Sequence, residues 1–210
     1  MTALTSAIYV EYLKAVADKI NAGKDYVTAL DAATGDGDHW ANLNAGFTKL
    51  TALADELAAL PLSDMFKKAG MTLMSAVGGS SGVLYGSAYI GAAKATAGKD
   101  SLDASGVADV LDAMLAAIMA RGNAQPGQKT MIDALHPAVQ AMRAALPDEA
   151  AAYAAMKAAA LAGAEATKDM EAVRGRACYQ AGKGVGHLDP GAVTMAYQLE
   201  ALADHLLAAL

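Results

Sequence analysis

The sequence predicts an all-α protein, a closed bundle or barrel of about eight antiparallel amphipathic helices. Hydrophobic residues make up 55% of the 210 and aromatics only 5%. Alanine is used so heavily that close-packed helices are favoured over sheet, because Ala is the best helix former and a poor strand former. Apolar residues recur at helical spacing in one segment after another, and no run reads convincingly as a strand. The connections are short, which favours antiparallel neighbours. No linker-like shift in composition divides the chain, so residues 1–210 read as one domain.

Residues 4–22 form the first amphipathic helix, with Ile8, Leu13, Val16 and Ile20 close to helical spacing and Gly23 as its stop. A short turn of helix leads to Asp31. A long helix runs from His39 to about Leu60, where Pro61 stops it. The next covers 63–77, capped by Ser63 or Asp64, with Met65, Ala69, Leu73 and Val77 on one face. After GGSSG (78–82) a helix runs from Ser81 to about Ala97. Another follows from Asp103 to Met119, then the polar loop RGNAQPGQK (121–129). Thr130 caps a helix to Leu146 that Pro137 kinks or restarts. Asp148 to Met170 is an alanine-rich helix, and residues 172–189 are irregular and Gly-rich. Pro190, at a first-turn position, opens the last helix to about Leu207.

The composition also excludes functions. A net charge of −6 with scattered basic residues argues against a nucleic-acid surface. No apolar run approaches the roughly 18 residues of a membrane span. The N-terminal stretch meets Glu11 and Lys14 early and lacks the pattern of a signal peptide. A lone cysteine, Cys178, excludes an internal disulfide and fits a reducing compartment. A soluble, cytoplasmic protein is expected. The histidines at 136 and 205 read as ordinary helix residues, and Cys178 as a small buried hydrophobe.

Chemistry concentrates in the loops. LDAATGDGDHWANLNAGF (30–47) places Asp31, Asp36 and Asp38 around Gly35 and Gly37, followed by His39, Asn42 and Asn44. Carboxylates crowded on a Gly-broken loop repel one another, and a hard divalent cation relieves that repulsion. Magnesium takes one or two protein carboxylates and completes its shell with substrate phosphates, so a metal–phosphate site is one reading. A solvated acidic turn with Asp38 as N-cap is the other. An EF-hand is excluded: a loop beginning at Asp36 puts Trp40 at the third ligand position and Phe47 where a bidentate Glu belongs.

GGSSG at a helix start offers backbone amides and hydroxyls to an anion; taken by itself, a C-cap followed by an N-cap is the favoured explanation. GNAQPGQKT (122–130) fails as a Walker A motif, because Gln128 separates the second glycine from Lys129-Thr130 and no strand leads in. It reads as a surface turn. Arg174 and Arg176 lie in the last loop, before HLDPGA (187–192), and an arginine facing carboxylates suits a phosphate. In an up-and-down bundle the first, second and fourth of these loops meet at one end.

In their order along residues 31–192, GDGDH with N-x-N behind it, GGSSG, PGQKTM, GRACY and GHLDPGA together resemble the nucleotide-binding L subunit (DhaL-type domain) of dihydroxyacetone kinases. The resemblance implies a barrel of eight antiparallel helices with the nucleotide at one end. It implies that Asp31, Asp36 and Asp38 hold a pair of Mg²⁺ ions on the phosphates of ADP or ATP. His39, Asn42 and Asn44 then lie beside the cluster, and Gly79, Ser80 and Ser81 contact phosphate oxygens. Gly122, Thr130 and Met131 line the nucleotide pocket, joined by Arg176 and Asp189; Arg176 assists transfer. The implied activity is phosphoryl transfer to dihydroxyacetone held on a separate K subunit. ADP would be retained as a cofactor and rephosphorylated by a phosphocarrier (DhaM-type) subunit fed from phosphoenolpyruvate; a transcriptional regulator is a further implied partner. The rival readings are an ATP-dependent kinase for another three- or four-carbon ketose and a nucleotide-loaded regulatory module. One position and one segment depart from the pattern of many members: Trp40 stands in place of a glycine, and Ala181-Gly182-Lys183-Gly184 in place of a charged Gly-Glu-Arg-Ser.

Overall fold

The computed structural model describes residues 3–210. Ten α-helices follow one another: α1 Ser6–Ala22, α2 Lys24–Thr34, α3 His39–Ala52, α4 Ala54–Ala58, α5 Leu62–Ala76, α6 Gly79–Ala95, α7 Ala104–Gly122, α8 Ile132–Ala145, α9 Glu149–Ala166 and α10 Pro190–Ala208. Two 3₁₀ turns, Thr167–Asp169 and Arg176–Tyr179, lie between α9 and α10. No strand occurs among the described residues. One isolated antiparallel bridge joins Leu4 to Leu102 and fixes the start of the chain against the α6–α7 connection.

The long helices begin where short polar side chains satisfy first-turn amides. Thr5 Oγ1 accepts from Ile8 N, Asp103 from Gly106 N, Asp148 from Ala151 N and Asp189 from Ala192 N. Elsewhere the ends depart from expectation. The long helix predicted to Leu60 breaks at Leu53 into α3 and α4. The short turn before Asp31 is an eleven-residue helix that contains it. Pro61, not Ser63 or Asp64, holds the N-cap position of α5, and the Ser63 hydroxyl instead donates to Ala93 O at the far end of α6.

Pro137 lies inside α8 without ending it. Lacking an N–H, it leaves the Asp133 carbonyl without its usual helical partner. Gly163 of α9 packs so closely on that carbonyl that any Cβ there would overlap it. The helix continues through the proline, and the two helices cross closely at this point.

Each helix packs on neighbours in a regular order. α1 meets α3, α3 meets α5, and contacts run on through α6, α7, α8 and α9 to α10, which returns to α1. The enclosed core includes Leu13, Val16, Ile20, Phe47, Leu73 and Ile118. A cavity of about 40 Å³ lies among Tyr9, Tyr12, Tyr85, Tyr89, Met114 and Gln198, where Gln198 Nε2 donates to the Tyr85 hydroxyl at 2.8 Å. No helix of the described chain is long and apolar enough to cross a membrane.

Candidate metal and phosphate site

Asp31, on the last turn of α2, is the buried member of the acidic group; Asp36 and Asp38 follow on the exposed turn before α3. The turn is tight because Gly35 N bonds Asp31 O at 2.5 Å. A Cβ at position 35 would overlap the Asp31 carboxylate and push it from its present place. Asp38 occupies the N-cap position of α3 but its side chain caps nothing. Asp31 does that work from a distance, its Oδ2 accepting from His39 N at 3.0 Å. Asp38 is thus left free of the capping role that the solvated-turn reading required.

One oxygen from each of Asp31, Asp36 and Asp38 lies within 4.8 Å of the others. Ligand oxygens about 2.1 Å from a Mg²⁺ ion sit roughly 3–4 Å apart across its octahedron, so this all-oxygen cluster fits the donor set and scale of a Mg²⁺ site. The chain supplies one cation of its own. Arg176, on the 3₁₀ turn after Gly175, reaches Asp36 Oδ2 at 2.5 Å while two-thirds of its side chain stays exposed.

His39 turns inward from the same loop, its Nε2 2.9 Å from the Thr194 hydroxyl on α10. Burial lowers its pKa, against the pull of the Asp31 and Asp38 carboxylates. Asn42, one turn further along α3, sets its amide against Gly78, where a Cβ would overlap it. That contact brings the GGSSG turn to the acidic loop. α6 starts at Gly79 with no side-chain cap, Ser80 exposed and Ser81 half-buried, and neither hydroxyl bonds within the described chain. Its first-turn amides and hydroxyls are therefore uncommitted. Asn44 lies about 200° around α3 from Asn42 and shares no hydrogen bond with this group.

The loop 121–131 also reaches this end. Asn123, in the left-handed region at φ 46°, closes α7 just past Gly122, and its carbonyl accepts two bonds from Arg174. Asp133 is buried and ties the loop back, accepting from Gly127 N at 2.5 Å and Thr130 N at 2.8 Å. Met131 is buried with its backbone beside Gly191. Thr130 does not cap α8 directly: Met131 holds the N-cap position, while the Thr130 hydroxyl accepts from Ile132 N. The surface-turn reading of this loop fails at Lys129, which is 2% exposed.

Asp189 caps α10 at 2.7 Å from Ala192 N. Burial raises its pKa to about 7, opposed by the Ala192 amide and the Lys129 ammonium and reinforced by Asp133 and Asp31. The structure thus gathers Asp31, Asp36, Asp38, His39, Asn42 and Arg176 around one cluster, with the GGSSG turn against Asn42. Thr130, Met131 and Asp189 lie on the adjoining loop and helix start. Asp133, Lys129 and Thr194 were not read as site residues. Asp133 carried a signal, an acidic residue three positions after Thr130, but the other two have none that is local.

Trp40 turns away from the cluster. Its Nε1 donates to Ile20 O at 2.9 Å, and Lys24 lies over its ring, 5.0 Å from the centroid, so it fastens α3 to the end of α1. In the altered 181–184 segment, Gly182, Lys183 and Gly184 all have positive φ, and Lys183 Nζ pairs with Glu171.

Comparison with known proteins places the chain in a family. The chain is 38% identical over 192 residues to the ADP-binding subunit DhaL of PEP-dependent dihydroxyacetone kinase 1 from Listeria innocua, covering 91% of this chain and 92% of that one. The corresponding Escherichia coli subunit is 35% identical, with 92% of this chain and 94% of that one covered. Among solved structures, the dihydroxyacetone kinase from C. freundii in complex with AMP-PNP and Mg²⁺ superposes with a TM-score of 0.75 at 30% identity. That match covers 97% of this chain but only 35% of the larger kinase. The DAK2 domain family matches residues 33–204, which contain every aspartate of the cluster except Asp31. With its acidic cluster, its GGSSG turn and its arginine-bearing loop at one end of a helical bundle, the chain belongs to the DAK2 domain family.

Proposed function

We propose that this chain is the ADP-binding subunit of a phosphoenolpyruvate-dependent dihydroxyacetone kinase. The observation that carries the proposal is the cluster of Asp31, Asp36 and Asp38 with Arg176 on its rim, in a chain matched nearly end to end by freestanding subunits of that name. On this reading residues 1–210 form one nucleotide-binding domain, a closed barrel with the nucleotide at one end, working in the cytoplasm.

Asp31, Asp36 and Asp38 would hold the metal, two Mg²⁺ ions in the fullest form of the proposal. Bound there, the metal would supply neutralisation of phosphate charge. The remaining work falls to the chain. Arg176 leaves Asp36 for a phosphoryl oxygen, where its fork makes charge-assisted bonds. The amides of Gly79–Ser81 and the Ser80 and Ser81 hydroxyls bind the phosphate end without needing further charge. His39 and Asn42 keep the acidic loop and the GGSSG turn in register. Gly122, Thr130, Met131 and Asp189 line the nucleoside side, with Asn44 at the margin.

Phosphoryl transfer needs positioning and charge stabilisation, and no residue here need form a covalent intermediate. The acceptor, dihydroxyacetone, would be held by a separate K subunit that docks over this end. A phosphocarrier subunit would restore the spent ADP in place. Slow release suits a cofactor and would limit a substrate.

A second reading rests on the 37% identity to L-erythrulose 1-kinase of Mycolicibacterium smegmatis, of which this chain covers only 32%. It makes the chain part of an ATP-dependent kinase for another ketose. Labelled free ADP added during turnover with both partner subunits separates the two. We expect label to stay out of the protein over many cycles; entry once per cycle would overturn the cofactor reading and favour the ATP-dependent one.

A further inference from the structure

Between α9 and α10 the chain leaves the bundle as a long loop that carries Arg176 and returns to its starting point. Its neck is closed by two hydrogen bonds: Gly186 N donates to the Lys168 carbonyl at 2.8 Å, and Asp189 N to the Thr167 hydroxyl at 2.9 Å. Lys129 reaches this neck from the α7–α8 loop. Its ammonium donates to Thr167 O and to His187 O, each at 2.5 Å, so that one side chain holds both ends of the loop.

The lysine is committed to that position. It is almost wholly buried, and its backbone takes a positive φ of 59°, which a side-chain-bearing residue adopts only at a cost. Its stem packs on Gly184 inside the loop, where a Cβ would press against Lys129 Cε, the Ala177 methyl and Thr34. The Thr167 carbonyl belongs to the C-terminal end of α9 and its 3₁₀ extension, where a cation is favoured by the helix dipole. A backbone bond further along the loop, Val173 N to Gln128 O, again joins it to the lysine's own segment.

We propose that Lys129 is the positioning residue of the phosphoryl-transfer site: it staples the neck of the 168–188 loop and so sets where Arg176 stands, without itself touching nucleotide or acceptor. Closing a loop of this length has an entropic cost. Without the ammonium, the two amide bonds of the neck and the ties of Val173 to Gln128 and of Arg174 to the Asn123 carbonyl would leave Arg176 a wider range of positions. The ammonium converts the neck into a fixed hinge line. This inference rests on the proposed function for its kinetic arm only.

The test is Lys129→Met, made in the wild-type chain and in the Arg176→Ala chain with Mg²⁺ and ADP present. Amide hydrogen exchange should quicken at Ala172, Gly186 and Asp189 and stay unchanged in α1 and α5. Transfer should fall by about tenfold or more in kcat with a smaller change in KM, because an interaction made in the transition state is lost. In the Arg176→Ala background the same change should cost little further, since residues acting through one another are not additive. Full additivity, or unaltered exchange at Gly186 and Asp189, would overturn the proposal. Should Lys129→Met fail to fold, Lys129→Gln keeps one donor for the neck and carries the same comparison. If the wild-type chain transfers no phosphoryl group, the functional reading fails, and exchange at the neck still decides the role of Lys129.

Discussion

Glu200 and Asp204 on α10 are neutralised by the chain itself, whereas of Asp31, Asp36 and Asp38 only Asp36 is paired with a basic side chain, Arg176, among the described residues. Along the bundle wall, Lys19 of α1 pairs with Glu200, and Lys157 of α9 reaches both Glu200, at 3.2 Å, and Asp204, at 2.8 Å. Burial would raise the Glu200 pKa, but the hydrogen bonds from Lys19 and Lys157 outweigh it and hold the carboxyl below its usual value. Asp109 and Asp112 on α7 are likewise met by Arg143 from α8. Each of these groups links helices and is complete. The cluster at the end of the bundle is not. Its one partner, Arg176, is mostly exposed and sits on a loop. On the proposed function, the difference separates charges that hold the fold from charges kept in place for an external cation.

The comparison is broken most severely by removing a carboxylate from the incomplete group. Asp38→Asn should weaken Mg²⁺-dependent ADP binding by about 100-fold or more, since loss of even an outer partner of a metal site costs 10–100-fold. Because the Asp38 side chain makes no hydrogen bond or ion pair among the described residues, the variant should melt at the same temperature as the parent without metal, or higher, as one repulsion is gone. Calorimetry of ADP with Mg²⁺ and a melting curve in chelator check both halves. Retained affinity would make the cluster an ordinary acidic turn.

Arg176→Ala comes next. Removing one preorganised charge at a developing negative centre typically costs roughly 100-fold in rate. The transfer rate should fall by that order while helicity holds, with Ser81→Ala milder because the backbone amides of the turn remain. Activity per folded molecule that stays constant while stability drops would make Arg176 structural.

The smallest effect is expected at the complete group. Glu200→Gln should cost on the order of 1 kcal/mol of stability at neutral pH and leave ADP binding untouched. The sign of its pH dependence follows from the lowered folded-state pKa. The carboxylate's contribution is present above the unfolded value near 4 and disappears as pH falls through the folded one. The stability gap between Glu200→Gln and the parent should therefore close in acid, as chemical denaturation at a series of pH values would show. A gap that widened in acid would reverse the assignment.

Most of the bundle was legible because its signals are local. Thr5, Asp103, Asp148 and Asp189 act on amides three residues away, and alanine-rich periodicity needs no partner to be read. What escaped depends on distant contacts. Ser63 spends its hydroxyl on a carbonyl 30 residues away, not on its own helix. Asp31 caps α3 across eight residues, a task the sequence assigns to its neighbour Asp38. Pro137 does not interrupt α8, because Gly163 packs against the carbonyl it leaves unbonded. Lys129 looked like a surface residue in a polar loop, since its partners lie 38 and 58 residues further on. The acidic cluster itself was plain from spacing alone, while the contact between Asn42 and Gly78 that draws the second loop to it was not.

The central claim, that the chain leaves Asp31, Asp36 and Asp38 under-neutralised so that a metal-bound diphosphate can complete them, is tested most directly by titrating ADP into the wild-type protein with Mg²⁺ and again in chelator. The account predicts tight binding with Mg²⁺ and its loss, by orders of magnitude, without it. Equal affinity in the two titrations, or no binding in either, would contradict it.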